Sequence, residues 1–168
     1  VGAVVSDQPQ VVELTAEETH PLRLAVLRFD TPTKVVEFPE DNWPGALHLG
    51  LRVGDELVAT STWVPRPHNG EPGVQLRGMA TSRAVQGAGY GGLLLEAGCA
   101  RLQADGVQLV WANARDAALA FYLRHCVEAC KAGVARSHIL PYAQDGALLL
   151  EIYVHDGIGT MVIDEKLE

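Results

Sequence analysis

The alternation of apolar and polar residues predicts a chain of short strands with a few helices between them. Seven segments alternate with a period of two, or stay apolar for several positions, and we predict them as strands. They are residues 11–14, 47–53, 56–64, 74–81, 107–112, 148–154 and 161–167. Three segments with apolar residues every three or four positions are predicted helices: 16–28, 93–104 and 116–125.

Local signals place the ends of several elements. Thr15 followed by Glu18 is typical of a capping box at the start of a helix, and Pro21 should kink or restart that helix. Gly54-Asp55 favours a hairpin turn between two strands. Residues 31–44 are polar and rich in proline, which predicts a loop that could shape a substrate entrance.

The order of these elements predicts an α/β (α+β) fold. Strands 47–53, 56–64 and 74–81 follow one another through short turns, so they should be antiparallel neighbours, whereas the strand–helix–strand unit 74–112 should form a right-handed crossover. We therefore expect a mixed, mostly antiparallel, twisted sheet of about six to seven strands with helices on both faces. Residues 1–10 are expected to be a loose leader, and 11–168 a single domain.

Composition narrows the class of partner. The 168 residues carry a formal net charge of −8 without a Lys/Arg cluster, which argues against nucleic acid or an anionic membrane and favours a cationic or amine-bearing small substrate. No apolar run approaches the roughly 18 residues of a membrane span. The first residues lack a basic region and an initiator Met. With three cysteines that suggest neither a disulfide framework nor a common zinc pattern, we expect a cytoplasmic protein without a metal site.

A glycine-rich stretch between strand 74–81 and helix 93–104 is the most specific signal. It consists of Gln86, Gly87, Ala88, Gly89, Tyr90, Gly91 and Gly92. A glycine turn that opens a helix directs backbone N–H groups into one small volume, and the helix dipole adds partial positive charge. This stretch therefore predicts a site for the phosphates of a cofactor.

Two other interpretations of the glycines remain open. Gly87, Gly89 and Gly92 fit the dinucleotide pattern G-x-G-x-x-G, but the glycines follow the strand late and the next strand ends in Asn113 instead of an acidic residue. An NAD-dependent oxidoreductase is thus the less favoured alternative. The glycines could also serve only to pack the helix close to the strand.

Four segments together resemble the GNAT superfamily of N-acetyltransferases. They are residues 76–81 (LRGMAT), 86–91 (QGAGYG), Asn113 and 120–122 (AFY). The family pattern Gln/Arg-x-x-Gly-x-Gly/Ala is met by Gln86, Gly89 and Gly91, and the resemblance covers about residues 11–125. The element order predicted above agrees with the fold of that family.

The resemblance implies acetyl-CoA as acetyl donor and assigns roles to these residues. Backbone amides of the glycine stretch would hold the pyrophosphate, the edge of strand 76–81 through Met79 and Thr81 would pair with the pantetheine arm, and Met79 or Ala80 would donate an N–H to the oxyanion. Asn113 would lie along the other side of the arm, and Phe121 would pack against the cofactor.

Tyr122 is the predicted general acid. A phenol with a pKa of about 10 is matched to a departing thiol with a pKa of about 8.5, so it can donate a proton as the C–S bond breaks. Tyr122 could also be only an aromatic residue of the core. The general base stays open among Glu37, Asp41, His48, His68, Glu71 and a water chain. His48, within an apolar strand, could instead be a buried, hydrogen-bonded histidine. After Tyr122 the chain lacks the usual Gly-Phe, so the acceptor pocket is the least predictable part; the loop 156–161 is a candidate for it.

The sequence therefore predicts an N-acetyltransferase that transfers acetyl from acetyl-CoA to a primary amine of a small molecule. A peptide N-terminus is a further possible acceptor. The alternative from another class is a non-catalytic module that binds acyl-CoA. Exposed sheet edges could pair across a homodimer, and the sequence does not decide this.

Overall fold

The alternating segments of the sequence form strands, and the segments with helical spacing form helices. The computed structural model describes residues 8–113, 118–131, 136–139 and 160–163, which belong to two compact units, Val1–Trp111 and Ala112–Glu168. Four predicted segments lie wholly or partly outside the described residues. They are strand 148–154, residues 164–167 of the last strand, residues 116 and 117 of the third helix, and residues 156–159 of the candidate acceptor loop 156–161.

A five-stranded sheet with the order β1-β2-β3-β4-β5 is the centre of the first unit. Its strands are β1 (Pro9–Glu13), β2 (Leu47–Val53), β3 (Glu56–Pro65), β4 (Val74–Thr81) and β5 (Val110–Ala112). The pairs β2–β3 and β3–β4 are antiparallel, as predicted, and β1 also pairs antiparallel with β2. Strand β5 is shorter than the predicted 107–112, because the turn after the preceding helix continues with Val107 bonded back to Leu102.

Helix α1 (Ala16–Leu22) begins at the predicted capping box. The Thr15 amide donates to the Glu18 carboxylate at 2.8 Å, and the Glu18 amide donates to Thr15 Oγ1 at 3.4 Å. Pro21 lies inside the helix, which then widens into a π-helical turn at Arg23–Leu27. The predicted irregularity is therefore present as a wider turn and not as a restart.

Helix α2 (Tyr90–Ala104) begins three residues before the predicted position. Tyr90, Gly91 and Gly92 are thus its first turn and not part of a loop, because the N-cap is Gly89, which has a left-handed backbone. In the second unit, helix α3 (Leu119–Lys131) runs past the predicted end at His125. It packs against a separate two-stranded antiparallel sheet of β6 (Arg136–Ile139) and β7 (Thr160–Ile163).

Among the described residues, the strands form a sheet of five and a sheet of two, where a single sheet of six to seven was expected. The prediction of a mostly antiparallel sheet with helices on both faces is confirmed. Neighbouring residues on β3 show the two faces: Thr62 contacts Arg23, beside α1, whereas Trp63 faces Gly98 on α2. No described helix is long and apolar enough to pass through a membrane.

Trp63 sets the distance between α2 and the sheet. It is fully buried, and its indole N–H donates to Ser61 Oγ at 3.0 Å. A Cβ on Gly98 would lie 2.1 Å from Cζ2 of Trp63, which is far inside van der Waals contact. Only glycine at position 98 allows the helix to lie this close to the ring.

We expect Gly98→Ala to destabilise the protein. Forcing a methyl group into a packed core costs about 1–3 kcal/mol, which outweighs the gain of up to about 1 kcal/mol in helix propensity. Urea unfolding of the variant and the parent measures the difference. In a Trp63→Phe background the same substitution should cost less, because the ring atoms that clash are gone. A Gly98→Ala protein as stable as its parent would contradict this packing.

Candidate functional site

The glycine turn and the first turn of α2 form one end of the site in the first unit. Gly89 has φ of +86°, which L side chains rarely adopt, and it is the N-cap of the helix. Leu93 N–H donates to the Gly89 carbonyl at 3.1 Å and is the first amide with a partner inside the helix. The amides of Tyr90, Gly91 and Gly92 therefore point out of the helix end, where the dipole is positive.

Two contacts attach the turn to the sheet. The Gln86 side-chain amide donates to the Thr81 carbonyl at 3.1 Å, and the Ser82 amide donates to the Val58 carbonyl at 2.8 Å. The Gln86 side chain thus holds the glycine turn against the end of β4. The space over Gly89 is open, since a Cβ built there meets nothing within 4 Å.

Strand β4 carries a β-bulge directly before this turn. On β3, Thr60 pairs with Ala80 and Thr62 pairs with Arg77, so that Gly78 and Met79 together face one residue. Gly78 has φ of +57°, in the left-handed region. A bulge disrupts the regular hydrogen-bond ladder and redirects the backbone, and here it lies where the sequence predicted oxyanion donors.

The first unit thus brings together the predicted residues Met79, Ala80, Thr81 and 86–92 along β4 and the start of α2. Asn113, Phe121 and Tyr122 belong to the second unit. Asn113 is exposed and follows β5. On α3, the Phe121 ring packs edge-to-face against Tyr122 with centroids 5.2 Å apart. Burial raises the pKa of Tyr122 above its usual value.

A buried polar cluster behind β4 was not predicted as a group. Arg23 is 1% exposed and donates to both carboxylate oxygens of Asp41, at 2.7 and 2.9 Å. It also donates to Thr62 Oγ1 at 2.6 Å. Burial alone would raise the pKa of Asp41, but hydrogen bonds from Arg23 and the Phe38 amide, with the charge of Arg23, hold it below its usual range. Arg23, Asp41, His48 and Thr62 lie in four separate segments of the chain, so no local sequence pattern connects them.

His48 and Asp41 are candidate bases that this cluster engages. His48 Nε2 lies 2.9 Å from the Asp41 carbonyl, which can only accept, so Nε2 carries the hydrogen. Nδ1 then accepts from the Thr62 hydroxyl at 2.8 Å. Both ring nitrogens of His48 are therefore used inside the fold, in agreement with the interpretation as a buried structural histidine.

The other candidate bases are at the surface or in a turn. His68 and Glu71 form a small bridge through two backbone hydrogen bonds, and the His68 ring lies 4.6 Å from the Trp111 ring. Glu37 is exposed and lines a cleft between α1 and the segment 35–42. Within the described residues, no group of three or more His, Cys, Asp and Glu side chains is placed to hold a metal ion.

This cleft has a volume of 470 Å³, within the range of small-molecule sites. The cleft is lined by one group of polar side chains, most of them acidic, and by a second group of apolar residues. The acidic and polar ones are Glu17, His20, Glu37, Asp41 and Asn42, and the apolar ones are Ala16, Val35, Phe38 and Pro39. A backbone hydrogen bond and the Thr15 hydroxyl lower the pKa of Glu17, so this carboxylate stays ionised at neutral pH. Such a cleft attracts a cationic ligand.

Both the sequence and the fold of this chain are similar to those of known acetyltransferases. A stretch of 49 residues is 53% identical to an amino-acid acetyltransferase of Ralstonia nicotianae; the match is 29% of this chain and 11% of that protein. The fold is similar to Escherichia coli ElaA, with a TM-score of 0.63 and 18% identity over 83% of this chain and 95% of that chain. It is also similar to an aminoglycoside acetyltransferase from an uncultured soil metagenomic sample, with a TM-score of 0.56 and 16% identity over 69% and 86% of the two chains.

The family model described as the acetyltransferase (GNAT) family matches residues 12–126. This range includes most of the sheet, the bulge in β4, the glycine turn and most of α3. The chain belongs to the GNAT family of acetyltransferases.

Proposed function

We propose that this protein transfers the acetyl group of acetyl-CoA to a primary amine of a small molecule. The observation that carries the proposal is that the bulged strand β4 is followed by the glycine-capped N-terminus of α2 within one compact unit. The helix N-terminus can bind phosphates and the bulged strand can present backbone amides. Both are properties of the donor side and not of any particular acceptor.

On the donor side, the amides of residues 86–92 would bind the pyrophosphate of CoA. The open space over Gly89 fits this role, because phosphate oxygens must come close to the backbone there. The backbone of Met79, Ala80 and Thr81 would pair with the amides of the pantetheine arm, as an added strand does. Asn113 and Phe121 are assigned to the same ligand from the resemblance alone.

In the reaction, the amine nitrogen attacks the thioester carbonyl carbon and the C–S bond breaks. The carbonyl oxygen becomes an oxyanion that the amides of Met79 or Ala80 would stabilise. The departing thiolate takes a proton, for which we propose Tyr122 as donor. Burial raises the pKa of Tyr122, so the phenol is protonated at neutral pH and has a proton to donate.

On the acceptor side, the acidic lining of the cleft supports the proposal that the acceptor is an amine. The acidic side chains of Glu17 and Glu37 favour a protonated amine or a second positive group on the acceptor, and Phe38 and Pro39 offer apolar contact. The names of the relatives, an amino-acid acetyltransferase and an aminoglycoside acetyltransferase, both denote amine acceptors. We expect neutral or cationic amines to be preferred over acidic amino acids.

The donor site can be tested with Gly89→Asn. Asparagine tolerates the left-handed conformation, so the fold should survive while the side chain covers the first turn of α2. Acetyl-CoA at 100 times its dissociation constant should stabilise the parent by about 2.7 kcal/mol, or several degrees in Tm. The variant should lose most of this shift.

Gly106→Asn is the matched control, because Gly106 has φ of +81° and open space at the opposite end of the same helix. It should keep the full shift. A parent protein that neither acetyl-CoA nor CoA stabilises would overturn the proposed function. Binding of acetyl-CoA without turnover of any amine would favour the non-catalytic acyl-CoA-binding module.

Removal of the Tyr122 hydroxyl should affect chemistry and not donor binding. We expect Tyr122→Phe to lower kcat by about 10²-fold or more, as loss of a general acid does, while the dissociation constant of acetyl-CoA stays the same. Steady-state kinetics and calorimetric titration measure the two quantities. An unchanged kcat from pH 6 to pH 9 would show that Tyr122 does not donate the proton.

The acceptor cleft can be tested with Glu37→Gln. An exposed carboxylate that attracts a cation contributes up to about 1 kcal/mol, so KM for a diamine should rise up to about fivefold while KM for a neutral amino acid changes less. Glu56→Gln, at the exposed first residue of β3, is the control and should leave both values unchanged. Equal changes for the two acceptors would contradict an acidic acceptor site in this cleft.

A further inference from the structure

Arg23 is a buried cation whose terminal donors are directed at three residues. Its two terminal nitrogens donate to the Asp41 carboxylate, to Thr62 on β3 and, at 2.9 Å, to the Val36 carbonyl. Four N–H groups thus tie the end of α1 to the segment 35–42 and to the sheet. Its remaining N–H, on Nε, is buried and has no hydrogen-bond partner among the described residues.

That Nε lies against the bulge of β4. A Cβ on Gly78 would be 2.9 Å from Nε of Arg23 and 2.8 Å from Cε2 of Phe38. Both contacts are too short for any side chain, so the two residues fill the space behind Gly78. The left-handed backbone of Gly78 is therefore supported from behind by packing as well as allowed by the absence of a side chain.

Phe38 is held in place by two guanidinium groups. Cζ of Arg23 lies 4.2 Å from the ring centroid, and Cζ of Arg77 lies 4.6 Å from it. Arg77 directly precedes the bulge, and its Nη1 also contacts Glu40 Oε2 at 2.6 Å. The Phe38 ring therefore contacts the buried Arg23 on one side and two consecutive residues of β4, Arg77 and Gly78, on the other.

We propose that Arg23 is a positioning residue for acetyl transfer, which acts through Phe38 and Gly78 to fix the direction of the Met79 and Ala80 amides. This inference rests on the proposed function, in which those amides stabilise the oxyanion. Donors of this kind work because they are already aligned when charge develops, and a misplacement of about 1 Å can cost on the order of a hundredfold in rate. The substrate itself does not need to touch Arg23.

The test uses Arg23→Lys, which keeps the buried charge but cannot form the two-pronged contact with Asp41. We expect kcat to fall roughly tenfold to a hundredfold, with the dissociation constant of acetyl-CoA within about twofold of the parent. The amide chemical shifts of Met79 and Ala80 should move in the ligand-free protein. Arg52→Lys is the control: Arg52 also joins the sheet to α1, through Glu18 at 3.5 Å, but from β2, and it should change neither kcat nor these shifts.

If Arg23→Lys does not fold, Phe38→Leu tests the same link without altering the ion pair, and the Met79 and Ala80 shifts of the ligand-free protein should move, a readout that does not depend on the acceptor cleft that Phe38 also lines. Unchanged kcat and unchanged Met79 and Ala80 shifts in a folded, CoA-binding variant would overturn the inference and leave the proposed function intact. The inference would also be overturned if the apparent kcat fell only in proportion to the fraction of the protein that still binds CoA. A parent that binds acetyl-CoA but acetylates no amine would overturn the proposed reaction first.

Discussion

The buried ion pair of Arg23 and Asp41 is the interaction on which the arrangement of the first unit depends. Removing two charges from water is costly, and the cost is offset by good geometry and by hydrogen bonds to the remaining donors and acceptors of the pair. Asp41 meets this condition, since it accepts two bonds from Arg23 and one, at 2.9 Å, from the Phe38 amide. Loss of one partner would leave an uncompensated buried charge, at a cost of about 3–5 kcal/mol. Helix α1, the segment 35–42 and strands β2 and β3 are therefore fixed relative to one another.

Strand β4 is consequently constrained from both faces of the sheet. On the face of α1, Arg23 and Phe38 fill the space behind Gly78. On the other face, Trp63 and Gly98 set how closely α2 approaches, and this fixes where the N-terminus of α2 lies relative to the end of β4. Backbone amides have no rotamers, so their direction is determined only by the packing of the elements that carry them. A site built from such amides needs rigid support, and both faces provide it.

Sequence pattern was sufficient for local features and insufficient for features that join distant segments. The limits of β2 and β4, the capping box at Thr15 and the glycine turn all follow from neighbouring residues, and each was predicted. The partners of the buried cluster are 18 and 39 positions apart from Arg23, so no periodicity could connect them. The bulge at Gly78 was missed for a similar reason, because it depends on the register with β3 and on the ring of Phe38. The four-residue strand β6 was missed since so short a segment has too few residues to show a period.

The two sides of the proposed reaction differ in what they require from the sequence. A donor held by backbone amides needs glycines and a helix start, so its pattern is short and can be recognised in one chain. An acceptor is selected by side chains, and the cleft lined by Glu17, His20 and Glu37 has no such pattern. Charge is the property of this cleft that can select an acceptor, because an acidic cleft in a chain of net charge −8 attracts cations and repels acidic amino acids. The ionic strength sets the distance over which this attraction and repulsion act. Because attraction at such a range acts before contact, a preference for cationic amines in the proposed reaction should weaken as salt is added, whereas discrimination by shape would not.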